Sequence, residues 1–140
     1  LLPAGLGARD TLRLEKAYCL YGNDIDENRH PLEAGLSWTV KLSKGRFIGS
    51  EALLRYKEEG YSDRLIGFKL IDRGIPRHGY ELQIRGEKVG VVTSGSYSPT
   101  LNENIGLGYI KKDKIKSNKE IEVIIRGKRV RAKIVETPFI

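Results

Sequence analysis

Apolar positions along this chain follow two different periods, and the change falls near residue 60. Over residues 8–17, Ala8, Leu12, Leu14 and Ala17 recur at helical spacing, so a helix is expected there with these side chains turned to a core. Asp10 falls in its first turn, where the helix dipole favours an acid. Residues 18–31 are rich in Gly, Asn and Asp and read as a loop. The alternation Leu-Ser-Trp-Thr-Val-Lys-Leu over residues 36–42 predicts a strand. Residues 49–59 predict a second helix, with Ser50 as its N-cap and Gly60 as its stop.

After Gly60 the period shortens to two. Strands are expected over residues 64–72 and 105–110, and in two hairpins: 80–85 with 88–93 around Gly86-Glu87, and 121–126 with 129–136 around Gly127-Lys128. Short strands at this spacing suggest a small all-β sandwich or barrel. A domain boundary is therefore expected at residues 58–64. The piece before it is too thin to bury a core alone, so poor stability or dimerisation by swapping is expected of the isolated chain. No internal repeat or low-complexity tract is visible.

Composition narrows the classes. The 140 residues are 39% hydrophobic and 31% charged, a globular balance. No apolar stretch is long enough for a membrane-spanning helix. Leu1 opens into a Gly/Pro turn rather than a basic start with an apolar core, so no signal peptide is expected. With no Met anywhere, the chain reads as a piece of a longer protein. Cys19 is the single cysteine, which rules out an internal disulfide and fits a reducing compartment and a small buried hydrophobe. Cys19, His30 and His78 are too few for a zinc site, and no metal is expected. The net charge of +7 is uneven: residues 1–70 carry 11 Lys+Arg against 10 Asp+Glu, residues 71–140 carry 14 against 8. A basic second half could attract nucleic acid, an acidic protein or a small anion, and is equally an ordinary lysine-rich surface.

Arg9 is the side chain that stands out. A positive charge in the first helical turn opposes the dipole, and Arg13 four residues on is a like charge on the same face. Both are small costs that a bound anion would offset, because an arginine fork matches a carboxylate. Tyr18 ends the same helix and reads as a half-buried aromatic with a polar tip. The cluster Asp24, Asp26 and Glu27 lacks the other ligands of a calcium loop and reads as a solvated loop. Thr93-Ser94-Gly95-Ser96-Tyr97-Ser98-Pro99 has no base nearby to activate a serine; it is expected to be a turn between strands, its hydroxyls bonding nearby backbone. Gly5-Leu6-Gly7 lacks the third glycine and the strand of a dinucleotide fingerprint. Lys111, Lys112, Lys114, Lys116 and Lys119 read as a charged loop without the interleaved aromatics of a nucleic-acid surface.

Five blocks then occur in a telling order. They are Gly5-Leu6-Gly7-Ala8-Arg9-Asp10-Thr11-Leu12-Arg13-Leu14-Glu15, Leu20-Tyr21-Gly22-Asn23-Asp24-Ile25-Asp26-Glu27, Pro31-Leu32-Glu33-Ala34-Gly35-Leu36, Val92-Thr93-Ser94-Gly95-Ser96-Tyr97-Ser98-Pro99-Thr100-Leu101 and Pro138-Phe139-Ile140. In this order the chain resembles the C-terminal part of the glycine cleavage T proteins, which are aminomethyltransferases. The resemblance implies an α+β fold: residues 1–60 as the end of a mixed α/β folate-binding domain whose remainder lies upstream, then residues 61–140 as a small antiparallel Greek-key-like β-barrel. It implies transfer of a methylene group from the aminomethyl-lipoyl arm of a partner, the lipoyl-bearing H protein, to tetrahydrofolate, with release of ammonia. By the same resemblance Arg9 lines the folate pocket near its aminobenzoyl-glutamate end, and Tyr18 lines the same pocket. The catalytic aspartate of the family lies upstream, so no catalytic residue is expected in this chain and the piece alone is expected to be inactive. The implied setting is the cytoplasm of a bacterium or archaeon, or the mitochondrial matrix of a eukaryote, without nucleic acid or membrane.

Lys44-Gly45-Arg46-Phe47-Ile48-Gly49-Ser50-Glu51 lacks the cysteine and glutamine of the related iron–sulfur assembly group, which speaks against that role. Two alternatives stay open at this point. One is a non-catalytic basic β-barrel docking an acidic protein or RNA; the other is a folate-dependent demethylase.

Overall fold

The computed structural model describes residues 1–115 and 119–140. Strands β1 (Asp63–Leu70), β2 (Glu81–Ile84), β3 (Glu87–Ser98), β4 (Glu103–Lys111), β5 (Glu120–Ile125) and β6 (Lys128–Val135) close into one barrel. Every pairing is antiparallel, and neighbours run β1–β4–β3–β2–β5–β6. β2, β3 and β4 form a meander; β5 returns across it to pair with β2, and β1 closes the ring between β4 and β6. The expected barrel is thus present. Alternation along the strands turns Phe68, Leu82, Val92, Ile110, Val123 and Ala132 into a common core.

Both hairpins use two-residue turns, centred one residue earlier than the sequence suggested. The turn residues are Arg85-Gly86 (φ 52° and 82°) and Arg126-Gly127 (φ 50° and 78°). Positive φ at both central positions matches the twist of the flanking strands, and glycine adopts it freely at the second.

The first 60 residues form helix α1 (Leu6–Glu15), which packs on β3 and β4, helix α2 (Ser50–Glu59), whose Tyr56 stacks on His30, and loops. The expected strand over 36–42 is absent. Two 3-10 turns, Ser37–Thr39 and Leu42–Lys44, stand in its place, and the N–H groups of Thr39 and Val40 donate to the carbonyls of Leu36 and Ser37. A strand needs an open edge to pair with, and a closed barrel offers none.

The inward face of α1 also differs from expectation. Leu14 is fully buried and packs with Ile105 and Leu107, with Ala17, Leu65, Leu101 and Phe139 around them. Leu12 is 63% exposed and Ala8 is exposed, because they lie on the opposite side. Gly49, not Ser50, caps α2; its φ of 86° is left-handed, and Ser50 is the first helical residue. Gly60 ends that helix as expected, its N–H donating to the Tyr56 carbonyl. Residues 93–98 belong to β3 rather than to a turn, and the chain reverses after them, with Asn102 at φ 55°. Of the lysine-rich stretch, Lys112 and Lys114 lie in a short helix, α3 (Lys112–Ile115), while Lys116 lies outside the described residues. Among the described residues no helix is long and apolar enough to cross a membrane.

Candidate functional site

Helix α1 presents its first two turns outward, and the two residues singled out from the sequence meet there. Arg9 and Tyr18 line one concavity of about 760 Å³, together with Ala4, Leu6, Leu12 and Ile140. Tyr18 is 65% exposed rather than half-buried. Among the described residues Arg9 makes no hydrogen bond or ion pair, so its guanidinium is available to an incoming anion. A second hollow of about 330 Å³ shares Arg9 and adds Arg77, His78, Thr93 and Ser94. Thus one side of Arg9 faces an apolar bed and the other a polar, cationic one. An amphipathic aromatic anion is the kind of molecule that matches such a wall.

Arg13, one turn along, is not a second free cation. Its Nε donates to Asp10 Oδ1 (2.7 Å), its Nη1 to Asp24 Oδ2 (2.6 Å) and to the Tyr18 carbonyl (3.2 Å), and its Nη2 to Ser94 Oγ (2.9 Å). The like-charge cost expected from Arg9 and Arg13 is therefore offset locally by two carboxylates.

Asp24 corrects the expectation of a solvated acidic loop. It is 0% exposed, and its carboxylate accepts from Arg13, from the Leu20 N–H (2.9 Å) and from Thr93 Oγ1 (2.5 Å). Asp26 and Glu27 do behave as loop residues, taking hydrogen bonds from the Asn28 N–H and the Tyr21 hydroxyl.

The hydroxyls of β3 bond carboxylates and an arginine of α1 and of the loop after it, and Ser98 Oγ also accepts from the nearby Leu101 N–H (3.1 Å), the local backbone bonding expected from the sequence. Pairing with β4 shifts between Val92 and Ser94, leaving Thr93 as an inserted residue. Consecutive strand residues ordinarily point to opposite faces; a bulge lets two neighbours share one. Thr93 accordingly reaches Asp24 while Ser94 reaches Arg13. Further along, Ser98 Oγ and Thr100 Oγ1 donate to the carboxylate of Glu15, which is 1% exposed at the end of α1. The Ser98 hydrogen bond is the main reason the Glu15 carboxyl titrates below its ordinary range.

Three more groups surround the site. Cys19 is half-buried, and burial aided by nearby Asp24 pushes its thiol up to about 11, so it is inert near neutrality. The Tyr109 hydroxyl donates to the Asp24 carbonyl (2.9 Å), and burial raises its pKa. Arg29 stacks over the Tyr109 ring at 3.9 Å and donates to Glu33 and Asp63, tying the loop after Asp24 to β1. Among the described residues no cluster of three His, Cys, Asp or Glu could hold a metal. Arg13, Asp24, Thr93, Ser94 and Glu15 were not singled out from the sequence as a network. Arg13 and Asp24 are 11 residues apart, but their bonds to β3 and those of Glu15 to Ser98 and Thr100 span 69 to 85 residues, and only the tertiary fold makes them.

Two family models match this chain. The family model described as "Glycine cleavage T-protein C-terminal barrel domain" matches residues 64–140, and that described as "GCVT N-terminal domain" matches residues 1–44. An aminomethyltransferase of Halothermothrix orenii is 63% identical over 140 residues, which are 100% of this chain and 39% of the relative. One of Symbiobacterium thermophilum is 54% identical over 99% of this chain and 37% of its own length. The crystal structure of glycine cleavage system aminomethyltransferase T from Bartonella henselae superposes with a TM-score of 0.90 at 35% identity, covering 98% of this chain and 39% of that one. The chain thus spans well under half the length of these relatives. None of these comparisons supports the docking-module or demethylase alternatives. A closed antiparallel barrel, and a barrel-domain model matching more than half of the residues, place this chain in the glycine cleavage T-protein family.

Proposed function

We propose that the full-length protein to which these residues belong is a tetrahydrofolate-dependent aminomethyltransferase, and that α1 supplies part of its folate-binding wall. The observation that carries the reading is the meeting of Arg9 and Tyr18 at one largely apolar concavity, with the Arg9 guanidinium unpaired among the described residues. Its volume, about 760 Å³, suits a ligand of folate size.

Arg9 would bind a carboxylate at the glutamate end of the folate, and Tyr18 would cover the neighbouring aromatic segment. Tetrahydrofolate supplies the nucleophilic nitrogen that accepts the one-carbon unit. Residues 1–60 act as the last piece of the folate-binding domain and residues 61–140 as the barrel domain behind it. The donor is the aminomethyl-lipoyl arm of H protein. The carboxylate that handles the proton belongs to the upstream part of the protein, so these 140 residues contribute binding and orientation rather than proton transfer.

Calorimetric titration of the full-length protein with tetrahydrofolate tests the reading. Arg9→Ala is expected to weaken binding by about 1.5–3 kcal/mol, the worth of a hydrogen bond to a charged group. Binding that is absent in wild type, or indifferent to Arg9, would sink it.

A further inference from the structure

The residues beneath the Arg9–Tyr18 wall form a buried network that joins α1 to the barrel. We infer that the Arg13–Asp24 pair, gripped by the Thr93-Ser94 bulge of β3, sets the position of the Arg9–Tyr18 wall and so tunes ligand affinity from the barrel side. The inference rests on the folate reading given above.

Arg13 shares a helix with one end of that wall and is hydrogen-bonded to the other. It lies one helical turn after Arg9, and its Nη1 donates to the Tyr18 carbonyl (3.2 Å) where the chain leaves α1. The Tyr18 N–H in turn donates to the Arg13 carbonyl (2.8 Å), so Arg13 holds both sides of this peptide while the tyrosine ring stays exposed. The Arg13 side chain is 11% exposed and that of Asp24 0%, so both charges are held in a low-dielectric setting.

A pair this buried keeps one geometry only while its other hydrogen-bonding positions are filled. Thr93 Oγ1 occupies Asp24 Oδ1, the Leu20 N–H shares Oδ2, and Ser94 Oγ accepts from Arg13 Nη2. Two of these three partners come from the bulge. A regular β3 would send one of them to the opposite face and leave the pair half-satisfied. The bulge therefore couples the barrel to the ligand wall. Thr93 and Ser94 are positioning residues, not groups that need touch the ligand's reacting atoms.

The test is a double-mutant cycle in the full-length protein, read as tetrahydrofolate affinity by calorimetry. Thr93→Val removes the hydroxyl and keeps the shape. It is expected to weaken binding on the order of 3- to 30-fold, the range of coupling through such networks. Thr93→Ser restores the hydroxyl and should restore affinity. In a Tyr18→Ala background Thr93→Val should cost less than twofold, because its effect passes through the Tyr18 segment already altered. A general loss of stability would instead weaken both backgrounds alike. Ser94→Ala provides a second, milder probe and should follow the same pattern if Thr93→Val unfolds the protein. Unchanged affinity in Thr93→Val and Ser94→Ala, or equal losses with and without the Tyr18 ring, overturns the inference. If wild type binds and Arg9→Ala weakens it while the bulge variants do not, only this inference falls. If wild type does not bind, the functional reading falls and takes this with it.

Discussion

Asp24 shows how much rests on single side chains here. Asp24→Ala would leave Arg13 as a buried cation with one exposed carboxylate partner, Asp10, and would strip the Leu20 N–H of its acceptor. Breaking a buried pair on one side costs about 3–5 kcal/mol. That loss is expected in urea unfolding of the full-length protein, with Asp24→Asn costing less because it keeps the shape and some of the hydrogen bonds. A change below about 1 kcal/mol would contradict the burial described for this carboxylate. Gly106 is a second such point: a Cβ there would overlap the Phe68 ring at the centre of the barrel. Cys19 makes a chemical prediction. With its thiol held up to about 11, alkylation by iodoacetamide at pH 8 should be far slower than for a free thiol and should accelerate only in strong alkali. Fast labelling at pH 8 would mean the thiol is not shielded as the structure shows.

At the scale of elements, helix α1 and strand β3 carry most of the organisation, and they differ in how far the sequence reveals them. The barrel strands were legible because alternation and two-residue Gly turns leave local marks, as at Phe68 or Arg126-Gly127. Their closure, order and bulge were not, since register is fixed by partners far along the chain. The 36–42 segment misleads because alternation signals a half-buried surface, not the availability of an edge. Leu12 misleads for a related reason: it matches the helical period but faces the side that the barrel does not cover. Arg9 stood out by its charge at the start of a helix and Tyr18 by the family resemblance, whereas Arg13 read only as a like charge beside Arg9 and Asp24 as part of a solvated loop. Glu15 gives this scale its prediction. Its native carboxyl titrates below the unfolded value, which is about 4.3, so its stabilising effect is complete above that pH. That contribution is lost as pH falls through the lower native pKa. Asp63 adds to the same trend: burial would raise it, but hydrogen bonds from Lys111 and Arg29 more than compensate. Stability of the full-length protein should therefore fall on acidification below about pH 4. Glu15→Gln should shallow that slope. An unaltered acid limb in the variant would show that the Ser98 and Thr100 hydroxyls do not hold a charged Glu15.

On the scale of the whole molecule, the barrel closes on itself while α1 remains open on one side. The barrel has no unpaired edge, and its core is continuous from Phe68 to Ala132. Leu6, Leu12, Tyr18 and Ile140 stand exposed around one concavity, more apolar surface than a scattering of single residues. The relatives extend well beyond the portion matched here, and the apolar side of α1 is where the folate reading places ligand and the rest of the pocket. In the 140 residues taken alone this surface has nothing to bury it. Self-association is therefore expected in sedimentation velocity as protein concentration rises, with the barrel folded in every species. Leu6→Glu with Leu12→Glu should abolish the association without lowering the melting temperature, since both side chains already face solvent. The opposite pattern is equally informative. A concentration-independent monomer from the unaltered chain would mean that this face tolerates water, and that the concavity around Arg9 is shaped for a small ligand alone rather than shared with neighbouring protein.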